Sequence, residues 1–328
     1  TSVAIRDALE LFKKAGVNWL ALGIEAGNQT VRQEVSKGTF QEVNIRNVCK
    51  TIQEADINII KGHDIKISGK PRNELIGGDR PKSVAIKPYQ FRGIKPKLLI
   101  KEGDSVKIGT PIFKCKTNDQ IIFPSPACGK IKEVQYGERR RIEKIEIEIS
   151  EEEVYEKNDS FRLKEIEELS AEQVMSKLST GGLVPFIRQR PFNKIADPTN
   201  PPRDIFISGH NSSPLSVDLS RLIKDEKDIF QTGLNVLKKL TEGNVYLTLR
   251  SSMEFDNVIT QTISGPHPSG NVGIQIHHTK PLRPGEVIWS VNAQHVITLG
   301  KLFQTGSYDP TVIVSIGGSG ATNPSTVK

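Results

Sequence analysis

The sequence predicts an all-β module followed by an α/β layer, with a short βα segment in front. Three observations carry this. Residues 61–150 are cut by Pro and Gly every few positions and end on Ile142–Ile149, where Ile145, Ile147 and Ile149 alternate with Glu146 and Glu148. That is the period-two pattern of a half-buried strand. Residues 151–328 alternate short apolar runs with segments of helical period, as in strands joined by crossover helices. Residues 1–60 read α-β-α-α-β, which suits a parallel βα unit. The expected domains are therefore 1–60, 61–150 and 151–328.

In the first segment, Val3–Ala15 places Ile5, Leu9 and Phe12 at helical spacing before Gly16. Trp19–Ile24 is an apolar strand that breaks at Gly27, and Thr39 with Glu42 is a capping-box pattern before a helix bearing Val43, Ile45, Val48, Cys49 and Ile52. Ile57–Ile60 is the next strand. Two unrelated stretches meet there, because Lys61–Pro71 reads as the opening strand of a different module.

In the second segment, Lys101–Phe113 gives turn, strand, turn and strand, and Phe123–Ile131 follows. In the third, Glu151–Asp159 is an acidic linker, and Ser170 caps a helix to Leu178 with Glu172 near its start. Arg188–Phe192 leads into a proline-rich loop ending at Pro202. Asp204–Ser208, Val245–Leu249, Val287–Val291 and Val312–Ile316 read as strands; Asp218–Ile223, Asp228–Leu240 and Val296–Phe303 read as helices.

Composition narrows the function. The 328 residues are 36% hydrophobic and 25% charged, with mean hydropathy −0.35. No run approaches the ~20 apolar residues of a membrane span, and no signal peptide opens the chain, so the cytoplasm is expected. Cys49, Cys115 and Cys128 are too scattered for a disulfide framework, a zinc site or an iron–sulfur cluster. Of the net charge of +7, residues 61–150 hold a surplus of nine, from 20 Lys and Arg against 11 Asp and Glu. Such a face suits anionic headgroups or an acidic partner. Arg139, Arg140 and Arg141 are its densest part, readable as a docking face or as a solvated hairpin end. Aromatic residues are not interleaved with them, which argues against nucleic acid.

No GxGxxG or Walker A loop is present, and Pro324 prevents a smooth helix after Gly317–Gly320. The segment Ser264–Gly273 places His267 between Pro266 and Pro268, flanked by Gly265 and Gly270. It is either a structural loop or one that faces a ligand or partner. His277 and His278 follow on what reads as a strand, on opposite faces and without a carboxylate, so no metal site is expected. No catalytic residue is identified.

Three resemblances add to this. Gly23–Asn28 with Lys37–Thr39 resembles the middle of a radical S-adenosylmethionine barrel. A partial βα-barrel fragment is implied for residues 1–60, inactive because the chain has no CxxxCxxC motif. Lys101–Phe113 followed by Ser125–Ile131 resembles the biotinyl/lipoyl sandwich. The hairpin Lys114–Gln120 lacks Met-Lys-Met, and Lys116 is not expected at its tip, so a structural sandwich is favoured over a prosthetic-group carrier. Finally, 59–71, 84–113, 125–134, 188–198, 233–243, 264–278 and 296–306 resemble, in order, the A subunits of bacterial sodium-translocating NADH:quinone oxidoreductases. That family implies a Rossmann-like α/β layer related to the flavin subunit of complex I, here ending before a ubiquitin-like region. It implies a peripheral protein on the cytoplasmic face of the bacterial inner membrane, docked on the membrane-embedded B subunit beside other subunits, with ubiquinone as the complex's substrate. No cofactor is expected on this chain; NADH, flavins and iron–sulfur centres belong to other subunits. Quinone- or partner-facing candidates are Gly265, Pro266, His267 and Gly270.

Overall fold

Closely spaced Pro and Gly divide the β module into many strands joined by turns. The computed structural model describes residues 57–72 and 74–328. After β1 (Ile57–Asn58) and β2 (Leu75–Ile76), the module comprises β3 (Ser83–Ile86), β4 (Pro96–Leu98), β5 (Ser105–Val106), β6 (Pro111–Cys115), β7 (Asn118–Pro124), β8 (Gly129–Tyr136) and β9 (Ile142–Ile149). These form two antiparallel sheets, in the orders β3-β9-β8-β5 and β4-β6-β7. Phe113 stacks on Phe123 at 4.4 Å, with Phe91 4.5 Å from Phe123. On β9, Ile145 and Ile147 are fully buried while Glu148 is exposed, as the alternation requires. One expectation is corrected: Lys116 and Thr117 form the two-residue turn joining β6 to β7, so Lys116 does stand at a hairpin tip.

The rest of the described chain contains α1 (Leu163–Glu168), α2 (Ala171–Thr180), β10 (Arg188–Arg190), β11 (Lys194–Ile195), β12 (Ile205–Ser208), α3 (Leu219–Asp225), α4 (Lys227–Lys238), β13 (Val245–Leu249), β14 (Ile259–Ser264), α5 (Val272–Thr279), β15 (Ile288–Asn292), α6 (Ala293–Thr305), β16 (Val314–Ile316) and β17 (Ser325–Val327). Ser170 does cap α2. Its hydroxyl accepts from the Gln173 N–H, and the Gln173 side chain answers the Ser170 N–H.

The main sheet runs β1-β14-β13-β12-β15-β10-β11. Its first five strands are parallel, while β10 lies antiparallel to both β15 and β11. On one face Ile205, Ile207, Leu247 and Trp289 share a core with Leu234, Leu237, Val296 and Leu299 of α4 and α6. On the other, Phe206, Tyr246 and Ile288 pack with Ile276 of α5. The first core continues into the β module through Phe113, Phe123 and Ile131. A fourth sheet, β16-β17-β2, ties the end of the described chain to its start.

Several expectations change. Ile57–Asn58 pairs with Ile263–Ser264 as the edge of the α/β sheet, a partnership made some 200 residues away in sequence. Lys61–Pro71 forms no strand; it runs exposed across the loops after β14, with Ile65 and Ile67 in solvent. His277 and His278 lie in the last turn of a helix, not on a strand. Ile274 and Ile276 mimic period two, but the buried pair Gln275–Ile276 follows the side of the turn facing Phe206. Strand β11 falls in the proline-rich stretch that reads as loop, and β10 and β14 fall where no element is assigned from the sequence. The barrel-fragment reading, with Gly23–Asn28 and Cys49, lies outside the described residues. Among the described residues no helix is long and apolar enough to cross a membrane.

Candidate functional site

An open parallel sheet presents ligands at the carboxyl ends of its strands, near the point where strand order reverses. Here β12, β13 and β14 run outward in order, and β15 returns to the other side of β12. Three loops meet at that edge: Gly209–Ser216 after β12, Gly265–Asn271 after β14, and Lys61–Asp64 after β1.

The contacts between them are specific. His210 Nε2 lies 3.2 Å from Ser269 Oγ, and Ser269 Oγ donates to the Gly265 carbonyl at 3.0 Å. Ser212 Oγ lies 2.9 Å from His267 Nδ1 and accepts from the Gly270 N–H at 2.7 Å. Asp64 Oδ1 accepts from the His267 N–H at 2.8 Å, and the His267 carbonyl accepts from the His63 N–H at 2.9 Å. The glycines explain the tightness. A Cβ on Gly270 would sit 2.1 Å from the Ser212 nitrogen; one on Gly265, whose φ is 107°, would sit 2.0 Å from the Ile59 carbonyl oxygen. The close backbone approach expected of this loop is therefore met by the chain's own backbone.

This network constrains one tautomer. The Ser269 proton is committed to Gly265, so His210 Nε2 must be the donor in their contact. His210 is buried, and desolvation with the nearby Arg250 charge holds its pKa below the usual imidazole range; it is a neutral strut. Ser212 Oγ accepts from Gly270, and its contact with His267 Nδ1 fits either imidazole tautomer. His267 is half-buried, and its Nε2 takes no partner among the described residues. The loop thus presents one oriented imidazole nitrogen.

The expected basic face lies elsewhere. Arg139 and Arg140 sit at the β8–β9 hairpin tip with φ of 55° and 57°, exposed and with no ion pair among the described residues. Arg141 lies 5.2 Å over the Tyr89 ring, on a groove lined also by Lys87, Gln135, Glu143 and Lys144. The structure brings Gly265, Pro266, His267 and Gly270 together with Asp64, His210 and Ser212. It does not bring the arginines to them. Sequence reasoning misses His210 and Ser212. Their only signal is Gly209-His210-Asn211-Ser212 directly after a buried strand, without a recognisable spacing to Ser269. Among the described residues no cluster of His, Cys, Asp or Glu is placed to hold a metal ion.

At the neighbouring carboxyl end of β15, His295 packs on Phe186 at 4.5 Å, and burial pushes its pKa down to about 4. An unfolded histidine titrates near 6.5, so acid favours the unfolded state. The stability due to neutral His295 is full above pH ~6.5 and is lost as pH falls toward 4, on the order of 3 kcal/mol in all. Denaturant titrations across that window should show the slope, and His295→Gln should flatten it.

Comparisons with known proteins converge on one family. The model for the NqrA N-terminal barrel-sandwich hybrid domain matches residues 57–150, and that for the NqrA second alpha/beta domain matches residues 169–308. The Na(+)-translocating NADH-quinone reductase A subunit of Yersinia pestis bv. Antiqua (strain Angola) is 36% identical over 273 residues, covering 82% of this chain and 61% of that protein. The like-named proteins of Photorhabdus laumondii subsp. laumondii and Neisseria meningitidis serogroup B are 34% and 32% identical, each covering 83% of this chain and 62% of their own length. The chain therefore spans about three fifths of these relatives.

Proposed function

This chain belongs to the NqrA family by two consecutive domains, and from that premise we propose that it serves as a docking and quinone-access component of a sodium-translocating NADH:quinone reductase. The observation that carries this reading is the pair of family matches in order, over a β module and an α/β layer that share one core. In this reading the α/β layer is a Rossmann-like sheet without a phosphate loop. The chain sits peripherally on the cytoplasmic side of the bacterial inner membrane, against the membrane-embedded B subunit. NADH, flavin and iron–sulfur chemistry takes place on other subunits.

Two surfaces divide the work. Arg139–Arg141 meet an acidic surface of the membrane-embedded partner. His267 Nε2 donates to a carbonyl oxygen of ubiquinone; a quinone site needs an apolar slot and one or two such donors, and the Ser212 contact holds the ring in position. Co-purification tests the assignment. Tagged chain expressed with the membrane subunits of the reductase should bring them down at low ionic strength. Failure to retain them under conditions that retain a family relative would refute the docking role.

A further inference from the structure

Strand β10 carries a feature that the loop cluster and the hairpin tip do not use. Arg188 and Arg190 lie two residues apart, so both side chains leave the same face of the strand, while Gln189 between them is buried on the other. Both arginines are half-buried. Arg188 donates to the Asn193 carbonyl, whereas Arg190 has no hydrogen bond or ion pair among the described residues, and its Nε is shielded from solvent without a partner. No carboxylate among the described residues pairs with either one. Burial works against both charges, and the Arg190 charge works against Arg188 as well. Two like charges half out of water with no counterion are costly. Immediately beyond them Phe192 is 80% exposed, and Lys194 is exposed on the return strand.

We propose that Arg188 and Arg190 form a binding site for a phosphate group. Planar guanidinium forks suit tetrahedral oxyanions; inorganic phosphate near its dianionic form matches both positive charges, and a lipid phosphodiester, a monoanion, offsets one of them. Phe192 supplies an apolar contact beside the anion. A lipid headgroup, with its apolar body close to its phosphate, would use both features; free phosphate would use the arginines alone.

The test uses the full chain and three variants: Arg190→Gln, Arg190→Lys and Phe192→Ala. Thermal unfolding is followed against inorganic phosphate, with chloride at equal ionic strength as control. Co-sedimentation with phosphatidylglycerol-containing vesicles is compared with phosphatidylcholine vesicles. Arg190→Gln should weaken phosphate or anionic-vesicle binding about ten- to hundredfold, the scale of a lost charged hydrogen bond. It should not lower the melting temperature in chloride, because it removes an unpaired half-buried charge. Arg190→Lys, which keeps the charge but loses the fork, should fall between. If vesicles are the source, Phe192→Ala weakens the vesicle arm and spares the phosphate arm; if free phosphate is, Phe192→Ala changes neither. Equal phosphate and vesicle binding by wild type and Arg190→Gln would overturn the proposal, as would Arg190→Gln lowering the melting temperature in chloride, which would mark Arg190 as a structural residue.

Discussion

Gly233→Val should cost this protein a large part of its stability. Gly233 on α4 and Gly300 on α6 let the two helices touch backbone to side. A Cβ on Gly233 would sit 2.1 Å from the Val296 carbonyl oxygen, and one on Gly300 would sit 2.0 Å from that of Ile229. The helices cannot separate cheaply, because their other contacts include fully buried Phe230, Leu234, Leu299 and Phe303 and a Gln304–Thr232 hydrogen bond of 2.6 Å. Overpacking against backbone has no rotamer escape, so a loss of at least ~3 kcal/mol is expected, or roughly 6–12 °C in melting temperature. Gly273 on α5 is the opposite case. A Cβ there meets nothing within 4 Å, so Gly273→Ala should gain about 0.5–1 kcal/mol from helix propensity alone. Thermal unfolding of both variants checks the pair, and equal losses would contradict the helix contact.

The second large effect concerns assembly. Replacing Arg139, Arg140 and Arg141 by Glu changes the hairpin tip by six charges without touching a buried side chain, since all three are exposed. The fold should survive: Ile142 and Ile145 still anchor β9. Two of the replaced residues already hold left-handed backbone, so that strain is common to both sequences. Against an acidic partner, the variant should lose most of its co-purification with the membrane subunits, and wild-type binding should weaken as salt rises. A variant that folds and assembles like wild type would remove the hairpin tip from the docking face.

Local signals are legible in the sequence and distant ones are not. The alternation of Ile145 and Ile147 and the cap at Ser170 depend on neighbours within a few residues, and both are present in the fold. Ile57–Asn58 reads as a strand from its apolar run, but its partner Ile263–Ser264 lies some 200 residues away, and nothing near position 57 announces that. Ile274 and Ile276 alternate, yet their segment is a helix because α5 must cover Phe206 and Tyr246. The same limit governs the site. His267 stands out through its flanking prolines and glycines. His210 and Ser212, which orient the loop, carry no local pattern, and their partners lie 59 and 55 residues away.

The most direct measurement is the quinone kinetics of the assembled reductase carrying His267→Ala in this chain. Loss of one hydrogen-bonding side chain should raise the KM for quinone about two- to tenfold, with NADH oxidation by the flavin-bearing subunits and co-purification unchanged. A quinone KM equal to that of wild type would contradict the role given to His267.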